Sequence, residues 1–255
     1  MDISYYTFSS QTPTWCPGCG NFAVLSAVKK SLLELKIAPK DTVVTYDIGC
    51  GGNMVNNLAV CGFAALHGRS IPVAVGAKLA NPDLTVIAQG GDGGLLNEGA
   101  NHLIHAAQRN DNITVLLHNN QIFALTAGQA SSATPKKSLT KSTPQGVPYS
   151  PLNPLLLGAA SGAGFLARIY PFDLEESVKV IKQAIVYRGF SLIEIMMPCL
   201  IWSEKEAIES LKTKTFYPDS PPKNRNQVLG FLAKEENRLA LGILWQEQIQ
   251  NNDNL

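Results

Sequence analysis

Little in this sequence is present in excess. Lys and Arg number 21 against 20 Asp and Glu, leaving a formal net charge of +1 over 255 residues. That balance gives no electrostatic reason to expect nucleic acid or an anionic membrane as a partner. No uninterrupted apolar stretch approaches the roughly 18–20 residues needed to span a bilayer. The opening MDISYYTFSS lacks the basic start and apolar run of a secretory leader, so a cytoplasmic protein is expected. There is no internal repeat, no Ser–His–Asp arrangement and no Walker-type Gly-Lys-Ser. Cysteine is scarce and odd in number: Cys16, Cys19, Cys50, Cys61 and Cys199. An odd count without an export signal argues against a disulfide framework and favours metal or redox chemistry.

What is present is an ordinary globular composition, 45% hydrophobic, long enough for one large α/β domain with a substantial core. Apolar residues at Phe22, Leu25, Val28, Leu32 and Leu35 fall on one helical face, predicting a helix over Asn21–Lys36. Strands are predicted at Thr42–Asp47, in DLTVIAQ, in NITVLLH, in FLARIY and in SLIEIMM. Helices are predicted in PVAVGAKLA, LLNEGANHLIHAAQRN and DLEESVKVIKQAIVY, and GFAALHG is also read as helical. NQVLGFLAKEENRLALGILW predicts a helix and a short final strand, and QEQIQNNDNL a frayed end. The strands are apolar runs without alternation, as expected when both faces are covered by helices. The predicted fold is therefore a doubly wound α/β domain with a mainly parallel sheet. A cysteine-bearing segment, residues 1–20, precedes it, and a polar extension of about residues 203–255 follows.

In such sheets ligands bind beyond the carboxyl ends of the strands, and the unusual motifs sit there. GCGGN follows the first strand, GDGG the second, NNQIFALT the third and PC the last. A carboxylate in GGDGG, between strand and helix, faces a helix N-terminus able to bind phosphate. Flanking glycines leave Asp92 without side-chain cover, which a divalent cation bridging to a diphosphate would explain. Asn120 lies one helix–strand unit further on, which returns the chain to the same sheet edge. Its amide oxygen and the Ile122 carbonyl complete a candidate Mg²⁺ site with Asp92. A GDG followed at this spacing by NN resembles the Mg²⁺–thiamine diphosphate motif.

Cys50 and Cys199 end strands at the same edge, and the lead-in carrying Cys16 and Cys19 can fold over it. Four thiolates around one point bind zinc or an iron–sulfur cluster, and the sequence does not separate the two. Cys61, in LAVCGFAAL, is expected to be a core cysteine. Glu98, His102 and His105 share a predicted helix face, more readily a packing face than a metal set. Residues 129–153, rich in Ser, Thr, Pro and Lys, form a long loop expected to order against a ligand or partner.

The stretches WCPGCGN, DIGCGGN, LHGRSIPVAVGAKLANPDLTVIAQGGDGG, NHLIHAAQRN, NNQIFALTAGQAS and MMPC are together similar to the β subunit of 2-oxoacid:ferredoxin oxidoreductases, over about residues 12–202. The resemblance implies a [4Fe–4S] cluster on Cys16, Cys19, Cys50 and Cys199, and Mg²⁺ on Asp92, Asn120 and Ile122. It implies thiamine diphosphate contacts from Ile48, Gly49, Cys50, Gly51, His67, Gly93, Gly94, Ala124 and Leu125, with Thr126 close by. It implies oxidative decarboxylation of a 2-oxo acid with coenzyme A, electrons passing to ferredoxin. The activating glutamate is expected on an α subunit carrying a pyrimidine-binding domain, with or without a γ domain or subunit. Three positions depart from the pattern. Asn53 stands where relatives acting on 2-oxoglutarate can carry Lys or Arg, which favours pyruvate or a similar acid. Gly94 replaces a frequent Asp, and Ala64 a frequent His. The competing readings are half of a non-redox decarboxylase or transketolase-like enzyme with a structural zinc, and a scaffold without cofactor.

Overall fold

The computed structural model describes residues 2–8, 11–203, 205–235 and 238–248. The expectation of a frayed end falls largely on residues outside these.

The chain begins with helix α1 (Gly20–Glu34), strand β1 (Thr42–Tyr46), strand β2 (Cys61–Ala64), helix α2 (Ser70–Ala80) and strand β3 (Thr85–Gly91). A π-helical turn, Gly93–Glu98, leads into α3 (Ala100–Arg109) and β4 (Thr114–Asn119). A small antiparallel hairpin follows, β5 (Ile122–Phe123) and β6 (Gln129–Ala130), then α4 (Pro154–Ala160), β7 (Phe165–Ile169), α5 (Leu174–Val186) and β8 (Ser191–Met196). The C-terminal part adds α6 (Lys205–Lys214), β9 (Thr215–Phe216), α7 (Arg225–Leu232), β10 (Leu239–Ala240) and β11 (Gly242–Gln246).

Seven strands form one sheet in the order β11-β7-β8-β4-β3-β1-β2. All pairs are parallel except β11 on β7. The lack of alternation in the strands has the expected cause. Leu116 of β4 packs with α1 and α5 on one face, among Val24, Leu32 and Ile181. Its neighbours Val115 and Leu117 pack on the other face with Leu103 of α3 and Leu155 of α4. Burial on both sides favours an apolar residue at nearly every strand position. Two charged exceptions, Arg168 in β7 and Glu194 in β8, are adjacent in register and paired. Helix α5 is started by Asp173, whose side chain accepts the Glu176 N–H, with Glu175 and Glu176 in the first turn.

Two expectations are corrected. GFAAL is not helical: its first residues form β2, an edge strand parallel to β1. A 3₁₀ stretch, Gly51–Asn56, precedes it, leaving a segment too short for a stable helix beside an open edge of β1. All four β2 residues are consequently exposed, so Cys61 is a surface residue and not a core one. The long loop folds onto its own chain. Lys137 N–H bonds the Val147 carbonyl, Leu152 N–H the Ser132 carbonyl, and Ser132 N–H the Asn97 side chain. Among the described residues no helix is long and apolar enough to cross a membrane.

Candidate cofactor and metal site

Strands β1, β3, β4 and β8 are hydrogen-bonded neighbours running the same way, so their carboxyl ends share one rim. A cleft of about 580 Å³, partly open to solvent, lies there. The candidate cofactor residues Ile48, Gly49, Cys50, Gly51, His67, Gly93, Gly94, Ala124, Leu125 and Thr126 all line it, as do Asp92, Asn120 and Ile122.

The cleft is shaped by glycine. A Cβ on Gly93 would stand 2.5 Å from the Phe123 ring, and one on Gly94 would stand 1.7 Å from Asp47 Oδ2. The Asp that the resemblance would place at 94 has no room beside this neighbour. The π-helical turn leaves its N-terminal backbone at the cleft, and wide turns of this kind recur at functional sites. The opposite wall is held in less common conformations. Gln121 has φ 63° and Ala127 φ 81°, and strain of this sort concentrates at ligand sites. Trp202 braces that wall, its Nε1–H donating to the Ala124 carbonyl at 3.1 Å.

Asp92 is 1% exposed. Its carboxylate accepts the Ser131 hydroxyl and, at 3.3 Å, the Asn120 N–H. Burial outweighs these bonds and pushes its pKa up to about 7. Asn120 Oδ1 accepts the Ile122 N–H at 3.0 Å, fixing the turn that carries both residues. A buried carboxylate and a side-chain amide oxygen lining one cleft are hard-oxygen donors of the kind Mg²⁺ takes, and a cation on Asp92 would bring its raised pKa back down.

The cysteines come from three separate segments, which the fold joins. Trp15 Nε1–H donates to the Cys50 carbonyl at 2.6 Å, tying the lead-in to the end of β1. Gly18 packs on Leu200, beside Cys199. Burial and the neighbouring Cys19, Cys199 and Cys16 push Cys50 up to about 11. Cys19 is likewise raised, first by burial and also by Cys16 and Cys199, against a lowering by Asn21. Cys16, Cys19 and Cys199 are thus all near enough to Cys50 to oppose its ionisation. This is the environment in which bound metal would convert thiols to thiolates. Among the described residues no three His, Cys, Asp or Glu side chains are gathered so as to hold a single metal ion. That covers the four cysteines, whose sulfurs are not drawn around one point, as well as Glu98, His102 and His105. The π-helical turn and Gly99 separate Glu98 from α3, and it faces His67 Nδ1 at 3.6 Å instead.

Sequence reasoning missed three residues around the cleft. Asp47, 2% exposed, accepts the Ile48 and Gly68 N–H groups through Oδ1 while its Oδ2 has no partner. Burial raises its pKa. His118 lines the cleft with Nε2 unpartnered, and its Nδ1 is 2.9 Å from Asn21 Oδ1. Burial brings the His118 pKa down to about 4, so the ring is neutral near pH 7. Asn21 also lines the cleft. The available signal was polarity inside otherwise apolar stretches: Asp47 and His118 close buried strands, and Asn21 opens a buried helix.

The fold and this rim define a thiamine diphosphate-binding domain: residues 47–195 match the family described as thiamine pyrophosphate enzyme, C-terminal TPP binding domain. The chain is 40% identical over 210 residues to the β subunit of a 2-oxoacid:ferredoxin oxidoreductase from Saccharolobus solfataricus, covering 82% of this chain and 69% of that protein. It is 36% identical over 251 residues to the β subunit of 2-oxoacid:ferredoxin oxidoreductase 2 from Aeropyrum pernix, covering 93% and 81%. A solved 2-oxoglutarate:ferredoxin oxidoreductase from Magnetococcus marinus, with 2-oxoglutarate, coenzyme A and succinyl-CoA bound, superposes with a TM-score of 0.93 at 29% identity, covering 99% of this chain and 87% of that one. The chain belongs to the β subunits of the 2-oxoacid:ferredoxin oxidoreductases.

Proposed function

We propose that this subunit takes part in the oxidative decarboxylation of pyruvate or another small 2-oxo acid, with coenzyme A as acyl acceptor and ferredoxin as electron acceptor. The observation that carries this reading is a glycine-walled cleft that holds buried Asp92 and is lined by Cys50, to whose carbonyl Trp15 ties the lead-in bearing Cys16 and Cys19. Thiamine diphosphate, when bound, supplies the electron sink for loss of CO₂ from a 2-oxo acid. Everything else falls to the protein. Asp92, Asn120 Oδ1 and the Ile122 carbonyl would hold Mg²⁺ against the diphosphate. Gly93 and Gly94 would let the backbone approach the phosphates, and Ile48 to Gly51, His67 and Ala124 to Thr126, which line the cleft, would enclose the cofactor. Cys16, Cys19, Cys50 and Cys199 would hold a [4Fe–4S] cluster beside it.

Zinc is the poorer choice for these four cysteines. A structural zinc would have no part in moving electrons away from the thiamine site, whereas an iron–sulfur cluster held by the same thiolates would. The choice of acid rests on Asn53, whose side-chain amide turns to Thr14 Oγ1 at 3.2 Å and offers no cation to a second carboxylate. No carboxylic acid side chain among the cleft-lining residues is placed as the activating glutamate, since Asp92 is committed to the metal. We assign that role to a partner α subunit.

The test is purification of the native complex without oxygen. Broad visible absorption with stoichiometric iron is expected, and Cys50→Ser should lose the iron. A colourless protein with stoichiometric zinc would refute the cluster. A panel of 2-oxo acids with coenzyme A and a viologen dye should then give the fastest reduction with pyruvate or another monocarboxylic 2-oxo acid. A clear preference for 2-oxoglutarate would overturn the substrate reading.

A further inference from the structure

Behind the metal loop lies a set of buried charges that the site described above does not use. Arg168 is 1% exposed. Its Nε donates to Glu194 Oε2 at 2.7 Å, and Nη1 and Nη2 hold both oxygens of Glu235 at 2.7 and 2.9 Å. Nη1 also meets the Ala240 carbonyl at 3.0 Å. The free oxygen of Glu194, Oε1, accepts the Asn119 side-chain N–H at 2.6 Å. Asn119 Oδ1 in turn accepts the Gln121 N–H at 3.2 Å, and the Gln121 carbonyl accepts the Thr134 hydroxyl at 2.5 Å. Gln121 is the left-handed residue between Asn120 and Ile122.

The direction of each bond is forced. A carboxylate only accepts, so Asn119 must present its NH₂ to Glu194 and its oxygen to Gln121. Arg168 on Oε2 fixes the plane of the Glu194 carboxylate and so aims Oε1 at Asn119. Arg168 is in turn clamped by Glu235, which lies between α7 and β10. Buried ion networks of this kind seldom stabilise a fold more than well-packed apolar residues would. What this one supplies is orientation, delivered to a backbone turn that glycine would adopt more readily than Gln121 does.

We propose that Glu235, Arg168, Glu194 and Asn119 are positioning residues for the metal loop, holding Gln121 in its left-handed turn and so setting Asn120 Oδ1 and the Ile122 carbonyl at a fixed place relative to Asp92. This rests on the Mg²⁺ assignment above. It also makes the C-terminal segment part of the cofactor site although none of its described residues lines the cleft.

The experiment uses the native complex carrying the full chain. Mg²⁺ is titrated at saturating thiamine diphosphate and binding is read by calorimetry, for wild type, Asn119→Ala, Glu194→Gln and Glu235→Gln. Substitutions one layer behind a metal typically cost tenfold to a hundredfold in affinity. Asn119→Ala and Glu194→Gln should weaken Mg²⁺ about tenfold or more, and Glu235→Gln several-fold. The second readout is the ratio of Ca²⁺ to Mg²⁺ affinity. A loosened loop should favour the larger, less demanding Ca²⁺, and a merely structural defect would not move this ratio. Should Glu194→Gln fail to fold, Glu235→Gln and the ion ratio carry the test. Variants with lowered Tm but wild-type Mg²⁺ affinity and ion ratio would overturn the positioning role alone. A wild-type complex without Mg²⁺-dependent binding would overturn the metal assignment and this proposal together.

Discussion

Glu194 and Asp92 are buried carboxylates on opposite sides of the turn that closes β4, and the fold treats them oppositely. Glu194, 2% exposed, has a guanidinium on one oxygen and an amide N–H on the other. Asp92, 1% exposed, has a neutral hydroxyl and one long N–H bond, with no cationic side chain among its partners. The first charge is matched from within the chain, whereas the second is left short and its pKa climbs. Burial by itself therefore does not mark a ligand site; burial without a counter-charge does.

The contrast can be broken most forcefully at Asp92. Asp92→Ala should lower the Mg²⁺-dependent affinity for thiamine diphosphate a hundredfold or more while the chain stays folded. Equal affinity in calorimetry would show that Asp92 is matched in some other way. Next in size is Gly94→Ala, whose methyl must displace the Asp47 carboxylate. A destabilisation of about 3 kcal/mol is expected from overpacking at a buried turn, read as a lower midpoint in urea.

The remaining test is a pH dependence, spread over several pH units. With a folded pKa of about 7 against an ordinary 3.8, the metal-free folded chain binds the Asp92 proton more tightly than the unfolded chain. The stability this provides is complete below the ordinary carboxylate range and is lost as pH rises through about 7. The Tm of metal-free wild type relative to Asp92→Asn should therefore fall from pH 4 to pH 8. Mg²⁺ must displace the same proton, so its affinity should climb up to about pH 7 and then level off. A flat profile would remove the contrast with Glu194.

The sheet was legible because strands covered on both faces have to be apolar throughout, and because Gly-rich turns mark their ends. That Asp92, Asn120 and Cys50 line the cleft was legible because their side chains have no ordinary structural use at such turns. β2 was not, because an edge strand gains its place from a neighbour's free hydrogen-bonding row, a feature outside its own four residues. Asp47 and His118 were missed because their roles depend on what lies across the sheet, Gly94 for one and Asn21 for the other. Arg168 and Glu194 could have been paired from the sequence. A lone charge in each of two strands that must be buried on both faces calls for an opposite charge on the adjoining strand.

The closeness of Asp47 Oδ2 to Gly94 has an evolutionary consequence. Acquiring a side chain at 94 first requires a smaller or displaced residue at 47, and a chain keeping Asp47 is held to glycine there. The two positions, 47 residues apart in sequence, are thus open to change only in a set order, and a design that swaps this turn for a relative's needs to import the end of the first strand with it.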